Sequence, residues 1–466
     1  MSRETGEERR ARSAAREPRS TPPYRSARFA SAALLLPFVL LATGCTSHAS
    51  RVEAARRDFY QGNFAQANER LIEAKAKRPR EADVMALDQA ILELLRGRPD
   101  QAETILREVR DRFDHFEQRD LGESALTWVT DDTRRAYEGE DYEKVLIRAF
   151  LAISDLMDDG DDAGAYAYQI NEKQQQIIDA AAEPDGTNPK GDYTQIALGA
   201  YLYGLLRETT GTDYDDAERA YERVVEWEPE FAAGPIDLER ARSGVHSAPG
   251  HGVVHVIALV GRGPYKVEAD EVPTSQAMFV ADRILSIIGK HSVTPTIAPI
   301  KVPAIRTPIN PLDRLQIACD GRAIGQTLTI TDVGLLARRQ YQATLPLVVG
   351  KAVARRAVKK AALYATKSAM GTQGLGELAI DLVGIAWEAT ENADTRCWGL
   401  LPEKIQVLRF EMPVGRHELA MEPRLGASRV GQLETHSIEV MEGRDTFVLV
   451  HYPDTRRLGE VLTRVH

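Results

Sequence analysis

The chain has 466 residues, 43% apolar and 27% charged, enough for a sizeable core and too balanced for a collagen-like or disordered polymer. Its 59 Lys and Arg against 69 Asp and Glu leave a net charge of −10, which excludes general electrostatic wrapping of nucleic acid. The three cysteines, Cys45, Cys319 and Cys397, are too few for a disulfide-built scaffold or a zinc module.

Residues 1–28 carry eight Arg and four Glu without an apolar run, and Phe29–Leu41 then reads FASAALLLPFVLL before Ala42-Thr43-Gly44-Cys45. A charged leader, a short apolar stretch and small residues before a cysteine read as a secretory signal over residues 1–44. As a helix the stretch spans roughly 20 Å, short of the roughly 30 Å core of a bilayer, and Pro37 interrupts it. LATGC resembles the lipobox of bacterial lipoproteins, in which the cysteine is acylated and becomes the new N-terminus. That resemblance implies lipidation of Cys45 and a tether over 45–49. With Thr46 and Ser47 after the cysteine instead of Asp, it also implies the outer membrane, facing the periplasm. Removing the 44 leader residues, whose eight Arg and four Glu carry +4, leaves 422 residues at −14.

The segment DFYQGNFAQANERLIEAKAKRP places Gly62, Phe64, Ala67, Leu71, Ala74 and Pro79 at offsets 0, 2, 5, 9, 12 and 17. This spacing resembles the tetratricopeptide repeat (TPR). Small residues at the turn and at Ala67 let two antiparallel helices approach, bulky residues pack between them, and proline stops the second helix. A second copy runs through Gly97, Ala102, Leu106 and Val109, 35 residues on, with Asp114 where proline would stand. DYEKVLIRAFLAISDLMDDGDDAGAYAYQINEKQQQIIDAAAE fits a pair around Gly160, with Ala149, Ala152, Leu156 and Ala165 inside. TGTDYDDAERAYERVVEWEP, after the helix IALGAYLYGLLRE, supplies another through Tyr214, Ala217, Tyr221, Val224 and Pro229. The expectation over 50–242 is an irregular α-solenoid of about four pairs. Its concave surface holds either an extended partner or the chain's own C-terminal half. EPDGTNPKGDY, 183–193, reads as a solvated connector.

SGVHSAPGHG, 243–252, marks a linker, beyond which the apolar period falls from 3.6 to 2. GVVHVIALVGRGPYKVEADEV reads as a β-hairpin turning at Gly261-Arg262-Gly263-Pro264; no helix start follows the glycines, so a phosphate loop is set aside. TSQAMFVADRILSIIGKH fits a helix capped by Thr274 and ended by Gly289. Strands return in TPTIAPIKVPAI, RLQIACDGRAIGQTLTI, KIQVLRFEMPVGRHELAME and HSIEVMEGRDTFVLVHY. The last two, split at PVGRH and EGRD, resemble small Ig-like modules. The expected fold class is α+β and multidomain. A TPR-like α-solenoid precedes a β-sandwich-like domain over 253–466, with helices inserted near 274–289, 346–370 and 375–393.

From Pro346 to Met370, Val353, Ala354, Ala357, Val358, Ala361, Tyr364 and Ala365 share one helix face, while Lys351, Arg355, Arg356, Lys359, Lys360 and Lys367 line the other. That basic face is either a solvated surface or a contact for anionic headgroups or lipopolysaccharide. LGELAIDLVGIAWEATENA carries a stripe of Gly376, Ala379, Gly384 and Ala386 suited to close packing against it, and Glu377, Asp381 and Glu388 argue against a membrane span. His246, His251 and His255 cluster in sequence, but in extended backbone the last two lie about 13 Å apart, too far to share an ion. With no G-x-S-x-G, H-E-x-x-H or C-x-x-C, no catalytic residue, metal or cofactor is expected. Cys319 and Cys397 are free to pair in an oxidising compartment or to remain buried thiols. In ADTRCWGLLPEKIQV, the residues Asp394, Arg396 and Trp398 read as a structural junction that locks a helix to a strand by an ion pair and stacking.

A lipobox, degenerate TPR-like pairs including DYEKVLIRAFLAI, and a β-rich half with ADTRxWxxLPxxIQV followed by PVGRHEL together resemble a poorly characterised family of bacterial lipoproteins over most of 45–420. GRGPYKVEADEVPTSQAMFVADRILS and TIAPIKVP are similar to a subgroup in which a helix interrupts the hairpin. The resemblance implies an envelope location and no known catalytic activity. The expected function is an outer-membrane lipoprotein adaptor, with a protein partner on the repeat surface, the membrane held through acyl chains and no nucleic acid. Two alternatives stand beside it: a glycan- or peptidoglycan-binding protein, and an enzyme whose pocket joins charged residues of both halves.

Overall fold

Glycines at the turn positions of the repeat spacing set up the helical pairs. Gly62, Gly97, Gly160 and Gly211 all take φ between +70° and +82°, a left-handed conformation that costs glycine little and other residues much. In the computed structural model, which describes residues 48–120, 135–182, 186–287, 299–370 and 393–466, these glycines separate four pairs. They are α1 (His48–Tyr60) with α2 (Phe64–Lys77), α3 (Ala82–Leu95) with α4 (Pro99–Asp120), α5 (Asp141–Leu156) with α6 (Ala163–Asp179), and α7 (Ala197–Thr209) with α8 (Tyr214–Trp227); α9 (Gly234–Ser243) follows. The leader, Cys45 and nearly all of the helix expected over 375–393 lie outside the described residues.

The small positions behave as the spacing requires: Ala67, Ala102 and Ala217 are at most 1% exposed. Ala165 does not, since it faces solvent while Ala163 and Ala167 are buried; the helix is rotated relative to the expected register. Where the second copy lacks its proline, α4 continues to Asp120. Asp114, free to stay helical, accepts from Arg148 Nη2 at 2.7 Å and Lys173 Nζ at 2.8 Å and so links α4 to α5 and α6.

The β-rich half contains β1 (His251–Val260), β2 (Tyr265–Glu271), β3 (Ile300–Arg306), β4 (Arg314–Cys319), β5 (Arg322–Gln326), β6 (Leu328–Asp332), β7 (Lys404–Pro413), β8 (Gly415–Leu425), β9 (Ser428–Arg429), β10 (Glu434–Val440), β11 (Asp445–Tyr452) and β12 (Leu462–Val465). Two sheets, ordered β12-β11-β1-β7-β6 and β10-β8-β4-β5 with β9 on β8, stand beside a β2-β3 ribbon. The hairpin expected between β1 and β2 does not form. β1 is buried from Gly252 to Val260 and lies centrally, parallel to β11 and antiparallel to β7. A continuous apolar run marks a strand covered on both faces, and both its edges are occupied, so β2 turns away to pair with β3. PVGRH and EGRD prove to be corners: β7 and β11 belong to the first sheet, β8 and β10 to the second. Gly415, at φ +143°, permits the first of these turns.

The first sheet is covered on both sides. Ile257, Leu259, Val407, Phe447 and Leu449 join the core of the helices. Val254, Val256, Val448 and Val450 meet Leu315, Ile317, Leu419, Met421 and Ile438 of the second sheet. Residues 46–466 accordingly form one compact unit. α10 (Ser275–Ile287) begins as expected, with Thr274 Oγ1 accepting from the Ala277 N–H at 3.2 Å. The helix expected from 346 instead starts at Val333, as α11 (Val333–Met370), and Pro346 lies inside it. Asp332 Oδ1 caps its first turn through the Leu335 N–H at 2.7 Å, a stronger start signal than proline's fixed φ. Val353, Ala354 and Ala357 of α11 pack on Ala277, Ala281 and Ile284 of α10.

Candidate functional site

The segment 393–402 is held between the helical and the β-rich halves of the chain. Arg396 holds Asp394 through Nε–Oδ1 at 2.9 Å and Nη2–Oδ2 at 2.7 Å. Burial alone would raise the Asp394 carboxyl, and Arg396 overrides it, keeping the carboxyl below its ordinary range. Arg396 Nη1 also donates to the Arg135 carbonyl at 2.8 Å, and its guanidinium lies 5.3 Å from the Tyr137 ring centroid. The ion pair foreseen in the sequence is therefore present, but the aromatic partner is Tyr137 of the helical region and not Trp398. Trp398 is fully buried, its ring 5.4 Å from that of Phe150 on α5. Its backbone N–H donates to Glu143 Oε1 at 2.7 Å, and the next two N–H groups, of Gly399 and Leu400, donate to Asp88 Oδ1 at 2.9 and 3.0 Å. The junction thus joins the two halves of the chain. Asp88 and Glu143 escaped the sequence reading; their only signal was a lone acid on an otherwise apolar helix face. Burial and the nearby Glu140 push Glu143 up to about 7. Cys397 and Cys319 are both buried free thiols.

A second buried cluster forms where the linker was expected. His246 lies with Nδ1 3.7 Å from Glu208 and Nε2 3.4 Å from Asp445, and His255 Nε2 sits 2.7 Å from the same Asp445. Arg240 grips Glu208 with two nitrogens, at 2.5 and 2.9 Å, and Tyr221 OH donates to it at 2.9 Å. Burial alone would lower His246, and the two facing carboxylates, Asp445 and Glu208, override it, raising the ring to about 9. His255 is lowered by burial despite Asp445. Spacing sets His251 and His255 apart; it is His246, before β1, and His255, carried beside Asp445 by the pairing of β1 with β11, that meet at one carboxylate. The arrangement is an ionic bridge between the halves in which both His246 nitrogens stand at ion-pair distance from a carboxylate without hydrogen-bond geometry.

Among the described residues, concavities open to solvent at two places. One, of about 360 Å³, lies over α6, α7 and α8 and is lined by Tyr168, Asn171, Gln175, Gly199, Tyr203 and Arg223 among others. Gly199 permits it: a Cβ there would stand 3.0 Å from the Ala167 carbonyl oxygen, so α6 and α7 approach closely. Tyr168 is 58% exposed, 6.2 Å from the Tyr203 ring, over which Arg207 lies at 4.9 Å. The other, of about 610 Å³, joins the halves between Tyr60, Phe64 and Arg96 on one side and Arg456, Arg457 and Glu460 on the other.

Lys351, Arg355, Arg356, Lys359 and Lys360 fall on α11, half-buried and engaged in polar or electrostatic contacts; Arg356 Nη1 donates to the Pro299 carbonyl at 3.0 Å. The side chains of Tyr364, Ala365 and Lys367 lie outside the described residues. Among the described residues, no helix is long and apolar enough to cross a membrane. Comparison with protein families, curated proteins and solved structures finds no match for the chain.

Proposed function

We propose that the chain is an outer-membrane-anchored lipoprotein serving as a protein–protein adaptor in the bacterial envelope, tethered by acyl chains on Cys45. The reading takes the helical pairs as a TPR-like solenoid and the two facing sheets as a β-sandwich-like half. One observation carries it: α3 and α5, which would line the inner surface, are already covered by the chain's own segment 393–402, while Tyr168 and Tyr203 stand side by side on a groove open to solvent. Rigid tyrosines beside amide side chains and Arg223 suit an extended peptide, supplying area at low entropic cost and donors for its carbonyls and acids.

The test has two arms. A photo-crosslinking residue at Tyr168, in intact envelopes, gives a defined adduct that the same residue at Ile72, itself 51% exposed on α2, does not. Equal labelling at both positions, or none, refutes the partner surface. Independently, globomycin or Cys45→Ser leaves unprocessed precursor; normal processing under either refutes the anchor. The cleft joining the halves is the observation that favours the interdomain-site alternative. Its lining of arginines with one glutamate suits holding an anion more than proton transfer.

A further inference from the structure

The turn closing β4 and β5 gathers a donor set unlike any other described. Cys319 ends β4, Asp320 opens the turn and His417 lies on β8. Their sulfur, carboxylate oxygen and ring nitrogen all stand within 4.8 Å of one another. Pairing dictates the meeting. Cys319 lies opposite Leu419, and residues two apart on a strand share a face, so the Cys319 and His417 side chains leave the sheet on the same side as diagonal neighbours. Asp320 and Gly321 take φ of +50° and +76°, the two-residue Asp-Gly turn. That turn brings the carboxylate back over β8, where Oδ1 accepts the Glu418 N–H at 2.9 Å and Oδ2 faces His417 Nδ1 at 2.7 Å.

The other ring nitrogen fixes the chemistry. His417 Nε2 lies 2.7 Å from the Pro413 carbonyl oxygen, which only accepts, so Nε2 carries a proton and donates it. At Nδ1 the ring is then either protonated, forming a salt bridge with Asp320, or neutral, with its lone pair facing a carboxylate lone pair. Two acceptors this close share a cation, either a proton or a metal ion. A metal ion, unlike a proton, would also take the nearby Cys319 sulfur as a donor. An imidazole N–H held by a backbone carbonyl is also the support that metal-binding histidines use.

We propose that Cys319 Sγ, His417 Nδ1 and Asp320 Oδ2 bind one zinc ion, with water in the fourth position. Donors around tetrahedral zinc stand roughly 3.4–3.6 Å apart, so the nitrogen and oxygen, 2.7 Å apart, open and the sulfur, within 4.8 Å of both, draws in by up to about 1.2 Å. The mixed thiolate, imidazole and carboxylate set suits zinc over the hard cations calcium and magnesium. The Asp320 side chain, 48% exposed, leaves a path from solvent. Binding expels the thiol proton and any proton on Nδ1, so affinity rises with pH. The ion ties the β4–β5 turn to β8, on elements the partner groove does not use.

The test titrates the tag-free full chain carrying Cys45→Ser, which removes the N-terminal thiol, with Co²⁺ and then Zn²⁺. One equivalent of Co²⁺ gives tetrahedral d–d bands and a thiolate-to-cobalt charge-transfer band, and Zn²⁺ bleaches both. Cys319→Ser abolishes the charge-transfer band, and either that change or His417→Gln weakens Zn²⁺ binding by at least about 10–100-fold, while Cys397→Ser changes neither. A Co²⁺ spectrum of the parent chain without a thiolate band overturns the proposal, whether or not any further variant folds. So does a band that survives Cys319→Ser.

Discussion

Asp88 offers the sharpest test of how the two halves are held. Its carboxylate is fully buried on α3, accepts the N–H groups of Gly399 and Leu400 at 2.9 and 3.0 Å, and lies 3.8 Å from Arg56 Nε. Asp88→Ala leaves two buried N–H donors without their acceptor and one guanidinium, that of Arg56, without its countercharge. An orphaned buried donor costs about 1–3 kcal/mol and a broken buried ion pair about 3–5 kcal/mol. These terms share one carboxylate and do not add fully, so a loss of about 3–5 kcal/mol is expected. Asp88→Asn keeps one oxygen for the two N–H groups and surrenders only the charge, so about half that loss follows. Urea unfolding of the Cys45→Ser chain measures both. Hydrogen exchange at Gly399 and Leu400 reports the site directly and accelerates in Asp88→Ala before exchange elsewhere in 393–402. If Asp88→Ala costs under about 1 kcal/mol, or Asn is as damaging as Ala, the carboxylate does not hold the segment and the reasoning fails.

Trp398→Ala empties a fully buried ring site against Phe150 and should cost about 3–5 kcal/mol in the same urea assay. Gly199→Ala puts a methyl 3.0 Å from the Ala167 carbonyl oxygen; the helices must separate, with a loss of about 1–3 kcal/mol and weaker crosslinking at Tyr168. His246, raised to about 9 from 6.5, contributes stability that is complete below pH 6.5 and lost as pH rises through 9. The unfolding free energy of the parent chain, from urea titrations, therefore falls across that window by about 1–2 kcal/mol after solvent screening. His246→Gln, still facing Glu208, Asp445, His255, Arg240 and Arg409, flattens the slope between about pH 7.5 and 9, above the range in which Glu143 titrates; an unchanged slope there contradicts the bridge.

The candidate sites divide by how local their cause is. Asp394 and Arg396 are two residues apart and announced their ion pair. Tyr137, Asp88 and Glu143, which receive the rest of the segment, lie more than 250 residues away in sequence, and nothing near Trp398 pointed to them. The Gly62 and Gly97 turns and the small residues Ala67 and Ala102 were legible because a helical pair buries its face on its immediate neighbour, so spacing alone encodes it. The α11 start was missed because the capping Asp332 ends a strand, and the pattern reading waited for Pro346.

By itself the sequence determined the paired helices and the change to strands after residue 250, both written in residues a few positions apart. Tertiary structure decided which strands pair, that β1 is covered on both faces, that the chain fills its own inner helical surface, and that Cys319 and His417 converge. An apolar pattern states that a face must be buried. What buries it is settled by long-range complementarity among all the faces at once, which no local spacing contains.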